Sequence, residues 1–259
     1  MKMLSQKDVD VPVGVKKGNE NTYRKNWMTA TRGTGRIMIF AGDQKIEHLN
    51  EDFYGEGISA DDNTPEHLFT IASQADIGVF ASQLGLISQY GKKYPKVPYL
   101  IKLNAKTNLV KTEQAEPVSR HFNTIEDVLA FRESSGLNIV AVGMTIYVGS
   151  EDEGTMLVES AQAVFKAQQA GLLSVIWSYP RGKAVSNEKD PRIVAGAAGV
   201  AVLARVLFGH TFRIEELLVF PLVLFRNGSL GRTGWFRFSY RDKVRMDLQT
   251  SQTLFAFIL

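Results

Sequence analysis

The chain reads as an α/β protein built on a parallel sheet, and three observations predict it. Short apolar runs of strand length lack two-residue polar alternation, which suits strands covered on both faces. Helical patterns with clear start and stop signals lie between them. The runs begin at intervals of roughly 22 to 40 residues, the repeat of strand–helix–strand units. An open doubly wound sheet and an eight-stranded barrel both fit this pattern, and periodicity does not separate them.

Taken in order, residues 1–35 are a polar lead-in closed by Arg32-Gly33-Thr34-Gly35-Arg36. Strands are expected at 37–42, 77–82, 99–104, 139–147 and 172–179. Thr64 before Pro65 opens a helix over 65–73, since proline suits the first helical position. Thr124 with Asp127 forms a capping-box pair that opens a helix over 125–134, and Gly136 closes it. A helix over 155–170 would place Met156, Leu157, Ala161, Val164 and Phe165 along its buried face and stop at Gly171. Asp190 and Pro191 open a further helix through 192–201. No G-x-G-x-x-G follows the first strand, so dinucleotide binding lacks support.

Composition narrows the chemistry. The 259 residues carry a net charge of +3, without a basic stripe interleaved with aromatics, so a nucleic-acid partner is not expected. There are no cysteines, which excludes disulfides, thiolate chemistry and Cys-ligated zinc. Only His48, His67, His121 and His210 occur, and no two have ligand spacing, so neither a metal nor any other cofactor is called for. No signal-peptide pattern and no membrane-length apolar run appears; the expected location is the cytoplasm, without a membrane partner.

In a barrel the chemistry sits at the carboxyl ends of the strands. The first strand runs into Asp43, Lys45, Glu47 and His48. The third carries Lys102 and Asn104. A lysine inside an apolar strand needs a partner, and Asp43 is the obvious candidate. Tyr147, Ser150 and Glu151 close the fourth strand, with a helix-cap role equally open for Ser150. The fifth gives Trp177, Tyr179 and Arg181; residues two apart share a strand face, and the arginine could bind an anion or orient a carbonyl. Carboxylate, tyrosine and lysine without a metal triad suit carbonyl chemistry through a Schiff base.

The stretches AGDQKIEHLN at 41–50, QLGLISQYG at 83–91, IKLNAKTNL at 101–109, GLNIVAVGMTIYVGSE at 136–151 and VIWSYPRGKAV at 175–185 closely resemble the archaeal-type class I fructose-bisphosphate aldolases. The resemblance covers about residues 30 to 201, with the motifs in the family's order. It implies a (β/α)8 barrel of TIM-barrel type, usually oligomeric. It also implies reversible cleavage of fructose 1,6-bisphosphate to dihydroxyacetone phosphate and glyceraldehyde 3-phosphate through a lysine Schiff base, a step of glycolysis and gluconeogenesis. By the same resemblance Asp43 is the acidic active-site residue, Tyr179 the general acid/base, Lys102 the lumen lysine and Trp177 the pocket aromatic. Asp43, Tyr179 and Lys102 are the catalytic candidates, and Trp177, Arg181 and His48 the substrate-binding ones. A rewired enzyme with Lys102 as the amine is a further alternative. Met144 stands where an aromatic residue is expected.

The resemblance stops near residue 201. The family's nucleophile is a lysine on the sixth strand, but no lysine occurs here between Lys189 and Lys243, and an arginine is not a useful amine nucleophile. Residues 1–200 hold 15 Lys and 7 Arg against 23 acids; residues 201–259 hold 1 Lys, 7 Arg and 4 acids, with 8 of the 15 Phe. The expected organisation is therefore a lead-in at 1–35, a barrel portion at 36–201 and a divergent segment at 202–259. A shifted reading frame near residue 201 would account for the change; the same ending under selection in a related genome would contradict it. The competing reading is a divergent terminus that completes the barrel differently. On sequence the barrel is thus expected to be incomplete or irregular after the fifth strand and its helix. The alternative function is a catalytically inactive, truncated homologue without the Schiff-base lysine and phosphate site.

Overall fold

The computed structural model describes residues 3–47, 53–110, 115–206 and 256–258. Its frame is five parallel strands in sequential order: β1 (Ile39–Ala41), β2 (Val79–Gln83), β3 (Tyr99–Lys102), β4 (Ile139–Val148) and β5 (Leu173–Pro180). Each expected strand is present, with ends shifted by up to two residues. The sheet curls as half a barrel. Alternate side chains in register, Ala41, Ala81, Leu100, Ala141 and Leu173, line its inner face. Such strands are covered on both faces, which is why their sequences are continuously apolar.

The outer face is covered by α3 (Pro65–Gln74), α4 (Leu84–Tyr90), α5 (Ile125–Ser135), α6 (Glu153–Gln169) and α7 (Pro191–Val206). Pro65 begins α3, and the reciprocal Thr124–Asp127 bonds cap α5, whose chain leaves through Gly136 at φ 65°. The outer core gathers Phe69, Phe80, Tyr99, Ile101, Met144, Ile146 and Ile176; Phe69 meets Phe80 edge to face at 4.8 Å.

Two expectations are corrected. The lead-in is not merely polar: α1 (Glu20–Thr31) closes the floor of the half-barrel. Tyr23 and Ala30 of α1, with Val9, Val15 and Ile37, pack against Val79, Leu100, Val175 and Trp177 of the inner face. Asn19 and Asn26 donate to the carbonyls of Gln169 and Gly171, tying α1 to the turn before β5. The buried face of α6 is also rotated from the expected one. Met156, Ser160, Ala163, Val164, Ala167 and Gln168 face inward, whereas Phe165 is exposed and Ala161 half-buried. Small Ser160 and Ala163 let the helix lie close to the sheet, so size outranked apolarity in choosing the face.

Residues 256–258 add a short antiparallel strand, β6 (Ala256–Ile258), to the free edge of β5, pairing Phe257 with Ile176. An open edge offers unpaired backbone groups, and this pairing satisfies part of it. The rest of the divergent segment beyond Val206 lies outside the described residues. Among the described residues, no helix is long and apolar enough to cross a membrane.

Candidate active site

The strand ends converge on Lys102. The last residue of β3, it points to the inner face in register with Gln83 and Gly143. Asp43 lies two residues past the end of β1. A single helical turn, α2 (Gln44–Glu47), then brings Glu47 four residues on to the same side. Lys102 Nζ donates to Asp43 Oδ2 at 2.7 Å and to Glu47 Oε1 at 2.9 Å. The lysine side chain is 1% exposed, that of Asp43 6% and that of Glu47 14%. The expected Lys102–Asp43 pair is therefore present, and Glu47 is a second partner. Burial alone would depress the Lys102 pKa; the two carboxylates outweigh it and raise the pKa above its ordinary value. The group is an ammonium at any ordinary pH.

Trp177 lies beneath this cation, its ring centroid 4.8 Å from Lys102 Nζ. The indole is 2% exposed and crosses the inner face of β4 at Gly143. A Cβ there would overlap the Trp177 ring and Leu100, so only glycine admits the indole. Trp177 is thus the floor of the site.

Two phenols stand above it. Tyr147 and Tyr179 are paired in register on β4 and β5, and their rings stack at 5.9 Å. Burial, reinforced by Glu47, pushes both phenols above their usual range. Both keep their protons at neutral pH and act first as donors. Arg181, just past β5, lies over Tyr179 at 5.4 Å and has its backbone N–H held by Val148 O at 2.9 Å. Its guanidinium grips Glu188, with Nε 3.0 and 3.1 Å from the two carboxylate oxygens and Nη2 3.0 Å from Oε2.

Other candidates are placed elsewhere. Lys45 points away from the mouth, donating to Asp62 O at 3.0 Å and lying over the Phe53 ring; burial lowers its pKa, with Asp62 opposing. Asn104 is structural. Its amide accepts from Thr145 N and donates to Thr145 O and Ser119 O, continuing the ladder past the end of β3. Ser150 donates to Pro117 O and accepts from Asp152 N, shaping the entry to α6, and Glu151 contributes its backbone N–H to Glu116. His48 lies outside the described residues.

Sequence reasoning named Glu47 and Tyr147 only as strand-end residues without a role, and it did not name Glu188. Glu47 was signalled by its four-residue spacing from Asp43, and Tyr147 by its place at the end of an apolar strand. Glu188 had no signal, because an ion pair inside an irregular loop follows no period. Among the described residues, no group of three His, Cys, Asp or Glu side chains gathers as a metal site. The chemistry on hand is a fixed ammonium between two carboxylates, two protonated phenols and a guanidinium at the rim. Such a set can polarise a carbonyl or hydroxyl, move a proton and hold an anion.

Comparisons with known proteins place the chain in a family. The profile of the DeoC/LacD family aldolases matches residues 37–206. The chain is 53% identical over 201 residues to the fructose-bisphosphate aldolase/6-deoxy-5-ketofructose 1-phosphate synthase of Methanocaldococcus jannaschii, covering 78% of this chain and 64% of that protein. It is 38% identical over 168 residues to the class 1 fructose-bisphosphate aldolase of Thermoproteus tenax, covering 65% and 59%. The fructose-bisphosphate aldolase structure from Slackia heliotrinireducens superposes with a TM-score of 0.76 at 53% identity, covering 78% of this chain and 64% of that one. An archaeal fructose-1,6-bisphosphate aldolase with its catalytic Lys bound to a carbinolamine intermediate superposes with a TM-score of 0.59 at 34% identity, covering 71% and 67%. The chain spans about three fifths of the length of the curated relatives it matches.

Proposed function

This chain belongs to the DeoC/LacD family of aldolases, and from that premise we propose that its strand mouth is the acid–base half of a class I fructose-bisphosphate aldolase site. The gathering of Lys102, Asp43, Glu47, Tyr179 and Arg181 at the carboxyl ends of parallel strands carries the reading. In the proposed reaction, a lysine amine condenses with the C2 ketone of fructose 1,6-bisphosphate and expels water. Tyr179, assisted by Asp43, handles the C4 hydroxyl proton as the C3–C4 bond breaks, and the iminium takes the electron pair. Glyceraldehyde 3-phosphate leaves, the enamine left behind takes a proton at C3, and hydrolysis of the re-formed iminium releases dihydroxyacetone phosphate and the free amine. Because its pKa is raised, Tyr179 is the proton donor of the reverse, bond-forming direction. In cleavage, a neighbouring carboxylate is the final proton acceptor.

Lys102 is not the amine in this proposal. A nucleophile needs a free lone pair, and both carboxylates keep this lysine protonated. Its part is to hold Asp43 and Glu47 in place and to present positive charge to the substrate oxygens. Arg181 takes a phosphate at the rim, Trp177 supports the pocket floor, and His48 is assigned to the pocket by resemblance alone. A homo-oligomer and a cytoplasmic setting belong to the same proposal.

A second reading is favoured by one observation. No lysine stands between Lys189 and Lys243, where the resemblance places the nucleophile. The chain would then bind sugar phosphates without turning them over. Borohydride reduction in the presence of dihydroxyacetone phosphate, read by intact mass and peptide mapping beside a thermal melt, separates the two. A stable adduct on one lysine supports the aldolase. A cooperatively melting protein with no adduct supports the inactive homologue.

A further inference from the structure

Arg181 is the rim group best suited to an anion, yet in this structure it is already occupied. Its fork closes on Glu188 through three bonds of 3.0 to 3.1 Å, the geometry an arginine also offers to phosphate. Glu188 sits seven residues later in the same loop, between β5 and α7. The two side chains are 31% and 40% exposed, so the pair is open to water, unlike the pair at Lys102.

The backbone around Arg181 is held independently of Glu188. Its N–H is fixed to Val148 O, and the Glu116 carboxylate accepts from Lys183 N and Glu151 N, joining the loops after β4 and β5. Gly182 fits against Gly149 O and Glu116 only because it lacks a Cβ. Releasing Glu188 would therefore leave the guanidinium in place over Tyr179. The released carboxylate would return to solvent and would not be stranded in a dry site.

We propose that Glu188 is a specificity-determining residue: it is a tethered competitor for Arg181 that only a phosphate dianion displaces. The inference rests on the proposed reading of Arg181 as a phosphate-binding group. A carboxylate on a short loop has an effective concentration of roughly millimolar or more. A neutral sugar or free monocarboxylate meets Arg181 with no more charge than Glu188 and loses to it. A phosphate ester carries about −1.5 to −2 charge and three acceptor oxygens, so it wins. Lys106 is held by the carbonyls of its own loop, donating to Thr107 O at 3.1 Å and Val110 O at 3.4 Å, and does not enter the pair. The ligand class favoured is therefore phosphorylated sugars and trioses, whose greater charge overcomes a competitor that holds weaker carboxylated analogues below measurable occupancy.

The test is calorimetric binding of inorganic phosphate at pH 8, and separately of acetate, to the wild type, Glu188→Gln, Arg181→Met and the double variant, each checked by circular dichroism. Glu188→Gln should bind phosphate about five-fold more tightly, the conversion of an exposed pair worth up to about 1 kcal/mol. It should also acquire measurable acetate binding, which the wild type should not show. Arg181→Met and the double variant should bind neither anion. Unchanged or weaker phosphate binding by folded Glu188→Gln overturns the proposal, as does phosphate binding that survives Arg181→Met or is absent from every variant. None of this requires an imine. Trapping without a gain in Glu188→Gln refutes the competitor alone; a gain without trapping refutes the aldolase reading alone.

Discussion

Lys102 and Arg181 are both cations held by carboxylates at the ends of neighbouring strands, yet water treats them differently. Lys102 is 1% exposed and has two carboxylate partners; Arg181 is about a third exposed and has Glu188 as its carboxylate partner. Removing one member from the sealed cluster leaves charge behind in a dry place. Opening the exposed pair returns two ions to solvent at little cost. In the proposed reading they do separate work: Lys102 is the fixed charge that holds Asp43 and Glu47, and the outer pair is exchangeable.

The largest expected effect comes from breaking the sealed cluster. Lys102→Met removes the buried ammonium that Asp43 and Glu47 share and should cost about 3–5 kcal/mol in urea unfolding. A loss below about 1 kcal/mol would show the cluster to be wetter than its burial indicates. Next comes the floor beneath it. Gly143→Ala pushes a methyl into Trp177 and Leu100 and should cost about 1–3 kcal/mol, with a shift in Trp fluorescence.

Alkaline titration sharpens the comparison through the phenols. Tyr147 and Tyr179 have folded pKa values raised above the ordinary 10.0, and Lys102 above 10.5. Above those values the unfolded chain binds fewer protons than the folded one. The stabilisation is complete below about pH 10 and is lost as pH rises through the folded values. One pH unit above the ordinary pKa, the loss should be on the order of 1 kcal/mol for each group. Tyrosinate absorbance should show these phenols ionising only as the protein unfolds; ionisation near pH 10 in a folded protein would contradict their burial. The smallest effect belongs to the open pair. Glu188→Gln should change stability by no more than about 1 kcal/mol, the same quantity by which it raises anion affinity.

The barrel half was legible because its strands are buried on both faces and its helices carry caps that obey local rules, as Thr124, Pro65 and Gly136 do. The need for a partner at Lys102 was legible too, since a lysine within Tyr99–Lys102 has to be neutralised. What escaped depends on tertiary context. The Tyr23, Trp27 and Ala30 spacing of α1 was visible, but polar neighbours masked it. The inward face of α6 was set by the size of Ser160, and Glu188 by the path of a loop. Trp177 was legible as a large side chain near a strand end, but its contacts were not: it crosses Gly143 and carries Lys102 on its ring, which only the fold brings together.

The central claim is that the sealed cluster keeps Lys102 a permanent cation, so that any imine forms elsewhere. Borohydride trapping with dihydroxyacetone phosphate, followed by peptide mapping, tests it directly. The account predicts that the peptide containing Lys102 stays unmodified, whether or not another lysine is labelled. A reduced adduct mapped to Lys102 in the folded protein would contradict it.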